Sequence, residues 1–125
     1  MGDLLYEDLC YKLTGLAYKI DNQFGFGFEE KFYSDAFEKL LIKENISYKR
    51  EVYSTLKIEG EIIKKHYFDF LIEDKLIIEL KSNERKYKDV CSQLFQYLKA
   101  SKLKLGLVIR FTKDGVKTKR IPNLY

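Results

Sequence analysis

The chain has 125 residues, of which 46% are hydrophobic and 34% charged, with 7 Gly, 1 Pro and 2 Cys. That length suits one compact domain, and the composition excludes a collagen-like chain, a disulfide scaffold and a wholly disordered chain. The formal net charge of +4 is uneven: residues 99–125 hold eight basic residues against Asp114 alone, a net of +7, whereas the first 98 hold 15 basic and 18 acidic, a net of −3.

Leu5, Leu9, Leu13, Leu16, Ala17 and Ile20 recur at spacings of three and four, which predicts a helix over 4–21 with Asp3 as its cap. The Gly-containing run 22–27 breaks that pattern. A second helix is expected over 28–45, with Phe32, Ala36, Phe37, Leu40 and Leu41 inward and Asn45 as terminator. Residues 48–58 read as a strand whose Val52, Ser54, Leu56 and Ile58 share a face. Glu59-Gly60 turns the chain into a second strand, 61–72. Residues 76–81 are short and nearly all apolar, as suits a central strand. A helix over 86–100 crosses to another central strand, 103–111, and Asp114-Gly115 turns into a last strand, 116–121. The α-α-β-β-β-α-β-β order predicts an α/β fold with a central mixed sheet flanked by helices. No run reaches the roughly 18–20 apolar residues of a membrane span, and the N-terminus lacks the pattern of a signal peptide. A cytoplasmic protein with reduced Cys10 and Cys91 and no membrane partner is expected.

Two acids stand where acids are costly. Asp69 lies within Tyr67-Phe68-Asp69-Phe70-Leu71-Ile72, and Glu79 within Leu76-Ile77-Ile78-Glu79-Leu80. A carboxylate inside a central strand needs a partner or a metal. Lys81, two residues after Glu79, leaves the same face of its strand. Asp69 faces Glu79 only if the intervening turn is centred on Asp74; a tight two-residue Glu73-Asp74 turn would send Glu79 away. A three-residue turn or bulge over 73–75 is therefore expected. Oxygen ligands of this type suit Mg²⁺ or Mn²⁺ better than zinc. Asp69 and Glu79 would hold the ion with the Leu80 carbonyl, and Lys81 would orient a water or stabilise developing charge in phosphodiester hydrolysis. On spacing alone, a structural ion pair explains the three residues equally well.

Asp69 followed by Glu79-Leu80-Lys81 resembles the core signature of the PD-(D/E)XK nuclease superfamily. A closer similarity is to its GxxExxY family, through Gly27, Glu30 and Tyr33, then Gln93, Tyr97-Leu98-Lys99 and 105–109, spanning about residues 15–121. The resemblance implies a single nuclease-like domain over 1–125 with an added N-terminal helix. It also implies a role for Glu30 at the metal or its waters, and for Gln93 and Tyr97 at the border of the site. The chain departs from the family pattern at Tyr67, where an arginine is usual, and at Phe26, where a proline is usual.

Lys102, Lys104, Lys113, Lys117 and Lys119 are candidates for a nucleic-acid footprint, against the alternative of a solvated edge that resists aggregation. Tyr48, Tyr53 and Tyr67 are candidates for base stacking. His66, the one histidine, is three residues from Asp69 and is expected to lean to the opposite face, outside the mechanism. The reading is a metal-dependent nuclease acting on nucleic acid, DNA before RNA. The alternative is a nucleic-acid-binding or protein-interaction domain that does not cut. So small a chain leaves the enclosure of a duplex to a second copy or a protein partner.

Overall fold

A computed structural model describes residues 5–82 and 87–123. The elements follow the predicted order: α1 (Glu7–Phe24), α2 (Glu30–Lys43), β1 (Tyr48–Ile58), β2 (Glu61–Ile72), β3 (Leu76–Lys81), α3 (Tyr87–Ser101), β4 (Leu105–Thr112) and β5 (Gly115–Pro122). The five strands lie in the order β1-β2-β3-β4-β5. The β3–β4 pair is parallel and the other three pairs are antiparallel. The parallel pair requires a crossover, and α3 supplies it.

Helices cover both faces. Leu13, Leu16 and Ile20 of α1 and Tyr33, Phe37 and Leu41 of α2 pack with Phe70, Ile78, Leu80, Leu107 and Ile109. Leu94, Tyr97 and Leu98 of α3 pack with Phe68, Ile77, Val108 and Ile121 on the other side. Leu76 to Leu80 are all buried, as a strand covered on both faces must be. Cys10 belongs to the first cluster and Cys91 borders the second, so the two free thiols are separated by the sheet.

The sequence expectations shift in several places. α1 starts at Glu7, after Tyr6 in a left-handed conformation, and runs on to Phe24. Leu5 is consequently exposed and Cys10 takes an inward position; Asp3 lies outside the described residues. In α2 the inward stripe turns toward Tyr33, which is fully buried, while Phe32, Ala36 and Leu40 are only partly covered. In β1 a bulge between Leu56 and Lys57 shifts the register, and Ile58 is exposed rather than sharing the face of Val52.

The β2–β3 connection is the three-residue turn that the carboxylate argument requires. Ile72 pairs with Leu76 across residues 73–75, and Glu73 and Asp74 both adopt positive φ.

The seat of α3 depends on Gly106. A Cβ placed there would lie 2.6 Å from Leu94 Cδ2 and 2.9 Å from its Cγ. Leu94 is fully buried, so it has little room to yield. Gly106→Ala is expected to lower stability by about 1–3 kcal/mol through overpacking, read as a lower urea midpoint. An unchanged midpoint would show that α3 can move off the sheet freely.

Candidate active site

β2 and β3 run as a paired ladder only from Phe70↔Ile78 to Ile72↔Leu76. One residue further along, side chains replace the ladder. The Asp69 backbone N–H donates to Glu79 Oε1 at 2.8 Å, and the Leu80 N–H donates to Asp69 Oδ2 at 2.7 Å. Each acid thereby satisfies a backbone donor on the facing strand just where the strands cease to pair. Asp69 and Glu79 meet, as the three-residue turn predicts.

The same point is a kink. Phe68 packs on the α3 side and Phe70 on the α1–α2 side, although residues two apart in a regular strand share a face. β1 turns with it. Glu51, opposite Asp69 in the register, has φ 57°; Val52 joins the Phe68 side, whereas Arg50 lies over the Phe70 ring. This swap corrects the placement of His66. Its Nε2 lies 3.3 Å from Glu79 Oε2, and its ring sits 4.5 Å from that of Phe68. Counting alternation from Asp69 fails because alternation is broken at Asp69 itself.

Glu79 is 3% exposed. Burial, and then the Glu79 charge, push the Asp69 carboxyl up to about 7 from its ordinary 3.8, against the opposing effects of the Leu80 N–H and Lys81. Two acids crowded in this way share a proton or a cation more readily than they bear two charges.

Lys81 extends from the end of β3 to Glu30, with Nζ 3.8 Å from Oε2. Glu30 is the first residue of α2. The loop before it is fixed by Tyr33, whose hydroxyl donates to the Gly25 carbonyl at 2.6 Å and whose ring stacks on Phe111 at 4.0 Å. Gly27 has φ +115°, a region that side chains resist. Gly27, Glu30 and Tyr33 thus form one device: a glycine bend, a buried clamp, and an acid brought to Lys81.

On α3, Tyr97 is 1% exposed, with its ring 6.1 Å from His66, and its buried hydroxyl has no hydrogen-bond partner among the described residues. A buried orphan hydroxyl is costly unless a water or ligand atom meets it. Gln93 is half-buried one turn earlier. Leu80 contributes its N–H to Asp69 and its side chain to the core. Among the described residues, no group of three or more His, Cys, Asp and Glu is arranged to hold a metal ion; Glu30 is turned to Lys81.

The tail lysines divide. Lys117 pairs in register with Arg110, which pairs with Lys81. Lys119 pairs with Val108, opposite Glu79, and Lys113 lies in the adjoining β4–β5 turn. Lys102 and Lys104 precede Leu105, which pairs with Leu76 at the other end of β3. At about 3.3 Å per residue they lie roughly 16 Å or more along the sheet from the Lys81 level. The five candidate lysines therefore lie toward two ends of the sheet. An apolar cavity of about 350 Å³ between α1 and α2, lined by Ile20, Phe24, Phe32 and Leu40, contains none of these residues.

The sequence profile of the PD-(D/E)XK nuclease superfamily matches residues 7–121. The chain belongs to that superfamily. No curated protein matches it significantly. Among solved structures, the crystal structure of SSO0001 superposes with a TM-score of 0.57 at 20% identity, over 74% of this chain and 49% of that one. The alkaline exonuclease LHK-Exo from Laribacter hongkongensis gives a TM-score of 0.47 at 13% identity, over 69% of this chain and 52% of that one. The chain thus spans about half the length of each. The superfamily core accounts for the mixed sheet flanked by helices. Among the described residues, no helix is long and apolar enough to cross a membrane.

The raised Asp69 pKa has a signed consequence. A carboxyl that binds its proton more tightly when folded contributes stability that is full below about pH 4 and is lost as pH rises through about 7. In chelator, Asp69→Asn should therefore gain stability relative to the wild type between pH 5 and pH 8, measured by urea unfolding. A constant difference across that range would show that Asp69 is not perturbed.

Proposed function

We propose that the chain hydrolyses phosphodiester bonds of nucleic acid with a divalent metal ion, DNA in preference to RNA, as a GxxExxY-type member of the superfamily. The observation that carries this reading is the Asp69–Glu79 pair, two carboxylates pressed together at a strand split, with Lys81 two residues on. Acceptor-only oxygens that repel each other fit a hard cation. Asp69 and Glu79, with the Leu80 carbonyl, would hold Mg²⁺ or Mn²⁺, and Glu30 would reach its waters. When bound, the ion would supply charge neutralisation and an activated water.

The chain's own residues do the rest. The Leu80 and Asp69 N–H groups fix one oxygen of each acid, so both are oriented before substrate arrives. Lys81, held near Glu30, is placed to orient a water or offset charge developing on the phosphate. Gln93 and Tyr97 would border the site, and a water would meet the Tyr97 hydroxyl, which has no partner among the described residues. A second copy or a protein partner would complete the enclosure of a duplex.

One observation favours a second reading. The third acid, Glu30, faces Lys81, and no three-member metal group occurs among the described residues. A domain that binds nucleic acid or protein without cutting is consistent with that arrangement.

Cleavage of single- and double-stranded DNA and RNA in Mg²⁺ or Mn²⁺ separates the two. Wild type should cut, DNA faster than RNA, and Asp69→Ala and Lys81→Ala should each cut at least about 100-fold more slowly. No cleavage of any substrate, with binding intact in all three proteins, would establish the second reading instead.

A further inference from the structure

We infer that Lys81, Arg110 and Lys117 form a phosphate-holding row that carries a nucleic-acid strand from the carboxylates across the sheet to β5, with Arg110 as a positioning residue. The row rests on the nucleic-acid reading above for the identity of its ligand. Its geometry rests on register alone. Lys81 pairs with Arg110 in the parallel ladder, and Arg110 with Lys117 in the antiparallel one. Directly paired residues point to one face. That face is the α3 side, since Ile77, Val108 and Ile121 of the same alternating set pack against α3. Glu79 belongs to the same set, one step back along β3.

Three cations on three adjacent strands span about 10 Å at the usual 4.8 Å spacing. Arg110 is prepared for a phosphate ligand. Its guanidinium carbon lies 3.8 Å from the centroid of the Tyr87 ring at the start of α3. Stacking on one face leaves the N–H edge for a phosphate and removes rotamer freedom before binding. Among the described residues, Arg110, Lys113 and Lys117 make no ion pair. Arg110 and Lys117, paired side by side with no acid partner among the described residues and with Lys81 beside them held by Glu30 alone, are costly to keep together unless an anion comes to them. Lys113, in the turn beyond, continues the row. Lys102 and Lys104, at the far end of the sheet, lie off it.

The test is binding of a fluorescein-labelled oligonucleotide, single-stranded and duplex, in chelator over a range of salt. Arg110→Ala and Lys117→Ala should each weaken binding about 5–10-fold at 0.1 M salt and reduce the salt slope by about one, equally for unrelated sequences. Lys102→Ala/Lys104→Ala should bind as the wild type. Lys117 is exposed, so its variant carries the test if Arg110→Ala fails to fold. Equal weakening by the Lys102/Lys104 variant, a loss that depends on sequence, or no loss in Arg110→Ala and Lys117→Ala would overturn the row. The cleavage reading fails separately: a wild type that binds through Arg110 and Lys117 but cuts nothing keeps the row and removes the hydrolysis.

Discussion

The structure turns on an exchange of two hydrogen bonds. Where β2 and β3 stop pairing, the Asp69 N–H goes to Glu79 and the Leu80 N–H goes to Asp69. Two strands cannot separate inside a covered sheet without leaving backbone donors unsatisfied, and these two acids are what allow the separation. The separation in turn kinks β2, sends Phe68 and Phe70 to opposite faces, and brings His66 round to Glu79. The acids are therefore structural and chemical at once. Either residue's loss would disturb the fork as well as any bound ion, so amide variants complement the alanine ones.

Around that fork the two helical layers contribute different things. The α1–α2 side supplies Glu30, delivered by the Gly27 bend and the Tyr33 clamp onto Phe111. The α3 side supplies Tyr97 and the Tyr87 ring beneath Arg110. Gly106 sets how closely α3 approaches, because Leu94 fills the space where a side chain would stand. The superfamily profile covers this whole unit, from residue 7 to residue 121.

Much of this was readable from the sequence because the signals were local or periodic. The element order followed from apolar spacing. The Asp69–Glu79 meeting followed from counting residues across the turn, since strand register is arithmetic once the turn length is fixed. The failures share one cause: they needed geometry that alternation does not carry. His66 was misplaced because the strand kinks at Asp69, and nothing in Tyr67-Phe68-Asp69-Phe70 announces it. The tail lysines are near in sequence, but β4 runs parallel to β3 and takes Lys102 and Lys104 to the opposite end from Lys113 and Lys117, which sequence proximity does not show. Arg110 did leave a trace. Residues 76–80 and 105–109 are two five-residue, mostly apolar runs each followed by a cation, and parallel pairing sets those cations side by side.

The measurement that bears most on the proposed site is calorimetric titration of Mn²⁺ and Mg²⁺ into the metal-free protein and into Glu79→Gln. If Asp69 and Glu79 are a cation site, the wild type will bind the ion with release of protons near pH 7, the range in which Asp69 titrates. Glu79→Gln will then bind at least about tenfold more weakly, which corresponds to 1.4 kcal/mol. Absence of binding in the wild type, or equal binding by the folded variant, would mean that the two acids serve the strand fork alone.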